Sequence, residues 1–117
     1  MQNLMIAAAL LASSVTSSAQ PGSYAKLTGQ FIITGKEVID PPPGQKLDRL
    51  GLFLEGESAK RTYEAMKAKP TNGDVCEQGL RLKQAGGLTC ARYKDGTYSC
   101  SVAILLGSGE TRPIGAC

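Results

Sequence analysis

The stretch that decides the fold is LTCARYKDGTYSCSVAILL, residues 88–106 of a 117-residue chain. It contains two runs of β-forming residues, 88–93 and 97–106, on either side of Lys94-Asp95-Gly96. An Asp-Gly pair between two such runs is a strong short-range signal for a β-hairpin. The second run also alternates, with Tyr, Cys, Val, Ile and Leu at its even positions from 98 to 106. We therefore predict an antiparallel hairpin with one apolar face.

The turn of this hairpin leaves two registers open, and the two registers place the cysteines differently. A three-residue loop with Gly96 in the left-handed conformation puts Cys90 opposite Cys100 on the same face. A two-residue turn at Asp95-Gly96 instead puts Ala91 opposite Cys100 and pairs the two flanking tyrosines. The sequence does not decide between these registers.

The four cysteines, Cys76, Cys90, Cys100 and Cys117, have the wide spacings of structural disulfides. Zinc ribbons and catalytic dithiols need closely spaced pairs such as C-x-x-C, and the sequence has none. We therefore predict two disulfides. The favoured pairing is Cys76–Cys90 with Cys100–Cys117, which ties the end of the predicted helix to the hairpin and the C-terminus to its second arm. The alternative pairing is Cys90–Cys100 with Cys76–Cys117.

Two further strands are predicted upstream of the hairpin. The first lies within residues 27–39 around Phe31-Ile32-Ile33, and the second within residues 47–54, where the leucines at 50, 52 and 54 share one face. A proline-rich loop at 40–46 separates them, because Asp40-Pro41-Pro42-Pro43-Gly44 neither continues a strand nor starts a helix.

One amphipathic helix is predicted over residues 59–69. Ser58 is its candidate N-cap, Pro70 ends it, and positions 59, 62, 63 and 66 form its apolar stripe. A short strand at 80–83 follows, and residues 110–114 fit a final edge strand. The main elements run β-β-α-β-β-β, an order that predicts an α+β fold in which one helix packs on a small antiparallel sheet.

The N-terminus has the pattern of an export signal. Residues 4–12 form an apolar run too short to span a bilayer, and Ser17-Ser18-Ala19 fits a signal peptidase site. We expect a signal peptide at 1–19, a flexible leader at 20–26 and a single domain at 27–117. The expected location is the periplasm or the extracellular space, with no stable membrane insertion after cleavage; an even cysteine count agrees with export.

The composition excludes several kinds of chemistry. The chain has no histidine, which excludes Ser-His-Asp and Cys-His nucleophile systems and imidazole metal ligands. Its ten acidic residues are spread along the sequence, with no pair set in an apolar pattern. We therefore predict no catalytic residues, no cofactor and no metal site. A formal net charge of +3 is too mild to indicate nucleic acid as a partner.

Four basic residues lie in adjacent predicted strands and form a candidate binding face: Arg81, Lys83, Arg92 and Lys94. Such a face suits an acidic protein cleft or an anionic polymer of the cell envelope. The alternative is that these are ordinary solvated positions on the sheet.

The pattern Gly86-Gly87-Leu88-Thr89-Cys90 followed by Tyr98-Ser99-Cys100 resembles the hairpin of small exported proteobacterial proteins. That resemblance implies export and disulfide formation and carries no activity. We therefore expect a non-catalytic exported domain that binds or inhibits a protein partner. An envelope structural or stress protein without a defined ligand is the alternative, and a small hydrolase ranks third.

Overall fold

The computed structural model describes residues 22–72 and 77–115, and their elements place one helix against an antiparallel sheet. In chain order the elements are β1 (Gly29–Thr34), β2 (Arg49–Glu55), α1 (Gly56–Ala65), β3 (Thr71–Asn72), β4 (Arg81–Ala85), β5 (Leu88–Arg92), β6 (Tyr98–Leu105) and β7 (Thr111–Arg112). The predicted α+β class is confirmed. The predicted element order β-β-α-β-β-β is wrong, because five strands rather than three follow the helix: β3 was not predicted, and the final edge strand, β7, was not counted in that order. A two-residue strand is too short to show a period of two.

The sheet has the strand order β1-β2-β6-β5-β4-β3, and β7 pairs with β6 beyond the end of β5. All of its pairings are antiparallel. β6 is the longest of the described strands and pairs with β2, β5 and β7. β1 and β3 therefore form the two ends of the strand order.

The β5–β6 hairpin adopts the three-residue register. Tyr93 N–H donates to Thr97 O (2.9 Å), Gly96 N–H donates to Tyr93 O (3.0 Å), and Gly96 has φ +87°. Glycine readily adopts this positive φ, and the Tyr93–Thr97 hydrogen bond leaves three residues, 94–96, in the loop. The register sets Cys90 directly opposite Cys100.

This register decides the first disulfide, which joins Cys90 to Cys100. The two Cα atoms are 4.0 Å apart because the pair occupies a non-hydrogen-bonded position of the ladder, where opposite residues approach most closely. The favoured pairing of Cys76 with Cys90 and of Cys100 with Cys117 is therefore wrong. Cys76 and Cys117 themselves lie outside the described residues, as does the predicted signal peptide at 1–19.

The helix begins and ends earlier than predicted, at Gly56 and Ala65 rather than at residues 59 and 69. β2 runs directly into α1, and Gly56, at φ +55°, makes the reversal that lays the helix back over the sheet. Ser58 is not the N-cap. Its Oγ instead accepts a hydrogen bond from Thr28 N–H (2.7 Å), which ties the segment before β1 to the first turn of α1.

The core lies between α1 and one face of the sheet. Ala59 and Tyr63, two members of the predicted apolar stripe, are buried against the Cys90–Cys100 disulfide. The Tyr63 and Tyr98 rings meet edge to face, with centroids 5.4 Å apart. Partly buried apolar side chains complete the cluster: Leu54, Met66, Leu88 and Tyr98. The disulfide thus lies at the centre of the helix–sheet contact.

Candidate functional site

The helix covers only part of its face of the sheet. It packs over the row formed by Leu54, Cys100 and Cys90, which are neighbours across β2, β6 and β5. Two rows further along the same strands point to the same face, because side chains alternate with a period of two. These rows are Phe31–Leu52–Val102 and Ile33–Leu50–Ile104. We call these six residues the apolar floor.

The apolar floor combines apolar chemistry with exposure. None of its six side chains carries a polar atom. Phe31 is 71% exposed and Ile33 is 44% exposed, whereas the four floor residues on β2 and β6 are half-buried. Scattered single apolar residues are common on protein surfaces, but contiguous exposed apolar patches mark sites of interaction. The six floor residues are contiguous across β1, β2 and β6, and the patch is most exposed on its β1 side.

The exposed side of the floor ends at the outer edge of β1, which pairs with no other strand of residues 22–72 and 77–115. Glu55 N–H donates to Thr28 O (2.9 Å), which fixes the residues of β1 that bond to β2. Since hydrogen-bonded and non-hydrogen-bonded pairs alternate in an antiparallel ladder, the backbone groups of Gly29, Phe31 and Ile33 point away from β2. The strand is GQFIIT, without charge or proline. Natural edge strands commonly carry such blocking residues, and β1 does not.

The opposite face of the sheet carries a groove and is reached by the C-terminal segment. A groove of about 210 Å³ runs over it, between walls that include Phe53 and Leu82. Its polar lining is engaged in part, since the Tyr93 hydroxyl and Ser99 Oγ are hydrogen-bonded (3.0 Å). The C-terminal segment also reaches this face, because Ile114 Cδ1 lies 3.6 Å from the position that a Cβ on Gly51 would take. This face is therefore partly covered by the C-terminal segment and carries hydrogen-bonded polar side chains.

The four basic residues singled out in the sequence divide into two groups. Arg81 and Arg92 lie directly opposite each other on β4 and β5 and are exposed. Arg81 Nη1 donates to Asn72 Oδ1 (3.1 Å), and exposed Lys94 packs beside Gly79 in the neighbouring loop. Lys83, in contrast, is half-buried and turned toward α1. The structure thus brings two of the four side chains together as a pair.

Lys83 has a structural role that the sequence did not indicate. Its Nζ donates to the backbone oxygens of Tyr63 (2.9 Å) and Met66 (3.1 Å) at the end of α1. The same nitrogen lies 4.5 Å from the centroid of the Tyr63 ring. A cation at this position satisfies terminal helix carbonyls and interacts favourably with the helix dipole. The contacts join residues 17 to 20 positions apart, and no local sequence pattern signals them.

Asp95 and Ser108 hydrogen-bond to neighbouring residues in turns. Asp95 Oδ1 accepts hydrogen bonds from the Thr97 hydroxyl (2.6 Å) and from Thr97 N–H (3.0 Å), and these bonds lower the pKa of Asp95 below its ordinary value. Ser108 Oγ accepts from Glu110 N–H (3.2 Å). Among residues 22–72 and 77–115, no three His, Cys, Asp or Glu side chains gather as metal ligands.

The sequence located the strand around Phe31 but assigned it no role. The signal that identifies this site is the uncharged run of β-formers, read together with its position at the end of the strand order. Within the described ranges, no helix has both the length and the hydropathy needed to cross a membrane. No protein-family model, curated protein or solved structure matches the chain.

Proposed function

We propose that the protein is an exported, non-catalytic domain that binds a protein partner, and that it binds through the apolar floor. The observation that carries this proposal is the exposure of Phe31 and Ile33 on a surface without polar side chains. Burial of apolar area is the dominant favourable term in protein association, and aromatic residues are enriched among the side chains that contribute most of the binding energy. Inhibition of the partner would follow where the bound segment is needed for the partner's own activity.

The chemistry of the floor specifies the partner segment. Its six side chains offer no donor, acceptor or charge, so a charged segment would lose hydration there without compensation. The fitting occupant is an apolar segment of an envelope or secreted protein. The basic pair Arg81 and Arg92 lies on β4 and β5, and the floor lies on β1, β2 and β6. That separation is why the proposal rests on apolar contact rather than on charge.

Export and a second disulfide belong to the same proposal. Cys90 and Cys100 are bridged to each other, so an oxidised chain leaves Cys76 and Cys117 only each other as intramolecular partners. We propose that they form the second disulfide and that residues 1–19 are removed during export. Peptide mapping without reduction, with N-terminal sequencing, tests both. A Cys76–Cys117 peptide and an N-terminus at residue 20 are expected, and free thiols at 76 and 117 would contradict the second bridge.

The binding proposal is tested with a matched pair of aromatic variants. Phe31→Ser alters the floor, whereas Tyr24→Ser alters an exposed aromatic residue outside it. The immobilised, oxidised wild type is exposed to an envelope extract, and the retained protein is then purified and titrated. We expect stoichiometric binding that weakens about tenfold or more in Phe31→Ser and is unchanged in Tyr24→Ser. Equal effects of the two variants, or no retained protein, would overturn the proposal.

A further inference from the structure

β1 is the longest free strand edge in the described chain. The other unpaired strand sides are shorter: β3 and β7 have two residues each, β7 includes the charged Arg112, and β4 lies beyond the end of β3 over residues 83–85. β1 has six residues and no charge. An edge of this kind is a template for pairing with a further strand. The sheet is therefore most readily extended at β1.

The β1 strand is complementary to itself. In an antiparallel pair centred on Ile32, Gln30 lies opposite Thr34 of a second copy, and Phe31 lies opposite Ile33 of that copy. Every residue from 30 to 34 then meets another uncharged residue, so the pairing brings no like charges together. The backbone groups that point outward belong to Phe31 and Ile33, and this register makes these two residues hydrogen-bonding partners.

The same register joins the two apolar floors. The row Phe31–Leu52–Val102 of one copy continues into the row Ile33–Leu50–Ile104 of the other, and the two-fold axis generates the second joined row. The result is one apolar surface twice as wide, with an α1 helix on either side. Pairing also places the exposed Phe31 side chain beside an Ile33 side chain, which removes part of the apolar area of both from water.

We propose that two copies of this chain pair through their β1 edges to form a symmetric dimer, and that the joined floor is the complete binding surface. The binding role of the joined floor rests on the proposed function, whereas the dimer itself is inferred from the unpaired edge of β1. The interface is a strand edge with a few side chains, so its area falls at the low end for specific complexes and the dimer dissociates on dilution.

A charge-reversal pair at Ile32 tests the dimer and its register together. In the proposed register Ile32 lies opposite Ile32 of the second copy, so Ile32→Lys and Ile32→Asp each bring two like charges together. The mass of the oxidised protein is measured by sedimentation over a concentration series. We expect the wild type to reach twice the monomer mass, each variant alone to dimerise about tenfold or more weakly, and an equimolar mixture of the two variants to recover the dimer.

Ile39→Lys is the matched control, because Ile39 is exposed, apolar and outside β1. It is expected to dimerise like the wild type. A wild type that stays monomeric at every concentration, a mixture that does not recover the dimer, or an equal loss in Ile39→Lys would overturn the proposal. A monomeric wild type whose partner binding still depends on Phe31 would overturn the dimer and leave the proposed function standing.

Discussion

Lys83 shows how one side chain fixes the position of the helix. Its ammonium group donates to two carbonyl oxygens at the end of α1 and lies over the Tyr63 ring. Charge-assisted hydrogen bonds from a half-buried donor are stronger than exposed ones because solvent competes less. The contact therefore holds the end of α1 against β4.

Replacing Lys83 by methionine keeps most of the aliphatic stem and removes the charge. We expect Lys83→Met to lower the free energy of unfolding by about 1 to 2 kcal/mol, measured by urea denaturation. Lys60→Met is the control, since Lys60 is exposed on the same helix, and it should change stability by less than about 0.5 kcal/mol. Equal unfolding midpoints for the two variants would show that the Lys83 contacts contribute nothing.

Asp95 makes the stability of the hairpin depend on pH. Hydrogen bonds from Thr97 lower its pKa in the folded chain below the ordinary value of 3.8, so the folded state favours the ionised carboxylate. The stabilisation is therefore present above pH 3.8 and is lost as the pH falls through the lower folded pKa. We expect the wild type to melt at a higher temperature than Asp95→Ala at pH 6, and the difference to shrink as the pH falls below 3.8. A difference that is independent of pH would contradict this account.

At the scale of elements, the β5–β6 hairpin and its disulfide organise the core. The bridge spans 10 residues and lies beneath α1, where Cys90 and Cys100 touch the helix cluster. Cross-linking a loop of this length restricts the unfolded chain and contributes about 2 to 3 kcal/mol. The disulfide therefore acts both as a cross-link and as a packed core group.

Removing the Cys90–Cys100 disulfide should lower the stability of the fold. We expect Cys90→Ala combined with Cys100→Ala to lower the free energy of unfolding by at least about 2 kcal/mol, as measured by denaturant titration. Thr97→Ser is the control. It changes the hairpin turn conservatively, keeps the disulfide and retains the hydroxyl that bonds to Asp95. A double variant as stable as the wild type would contradict the central place of the disulfide.

The elements also show what sequence patterns predict and what they miss. Alternation and the Asp-Gly pair predicted the hairpin, because both signals lie within neighbouring residues. The helix start was misplaced because Ser58 has the chemistry of an N-cap, whereas its hydroxyl bonds Thr28 across the fold. The disulfide followed from the hairpin register, which the sequence left open between two turn geometries. The Tyr93–Thr97 hydrogen bond, which closes a three-residue loop, decides between them.

At the scale of the whole molecule, α1 covers only part of one face of the sheet. One end is covered by α1, and the other is the apolar floor that ends at the free β1 edge. The sequence predicted that Leu50, Leu52 and Leu54 share a face. It did not predict that a 10-residue helix covers Leu54 and leaves the rows beyond it uncovered by the helix, because that depends on where the helix crosses the sheet.

The apolar floor as a protein-binding surface is the central claim, and photo-crosslinking tests it most directly. A benzophenone amino acid replaces Phe31 in the protein made by its own cell, and the same group replaces Tyr24 as the control. The account predicts that position 31 gives a discrete cross-linked product with a protein other than a second copy, and that position 24 gives none. A product with a second copy alone would contradict partner binding. No product from position 31, or the same products from both positions, would contradict it.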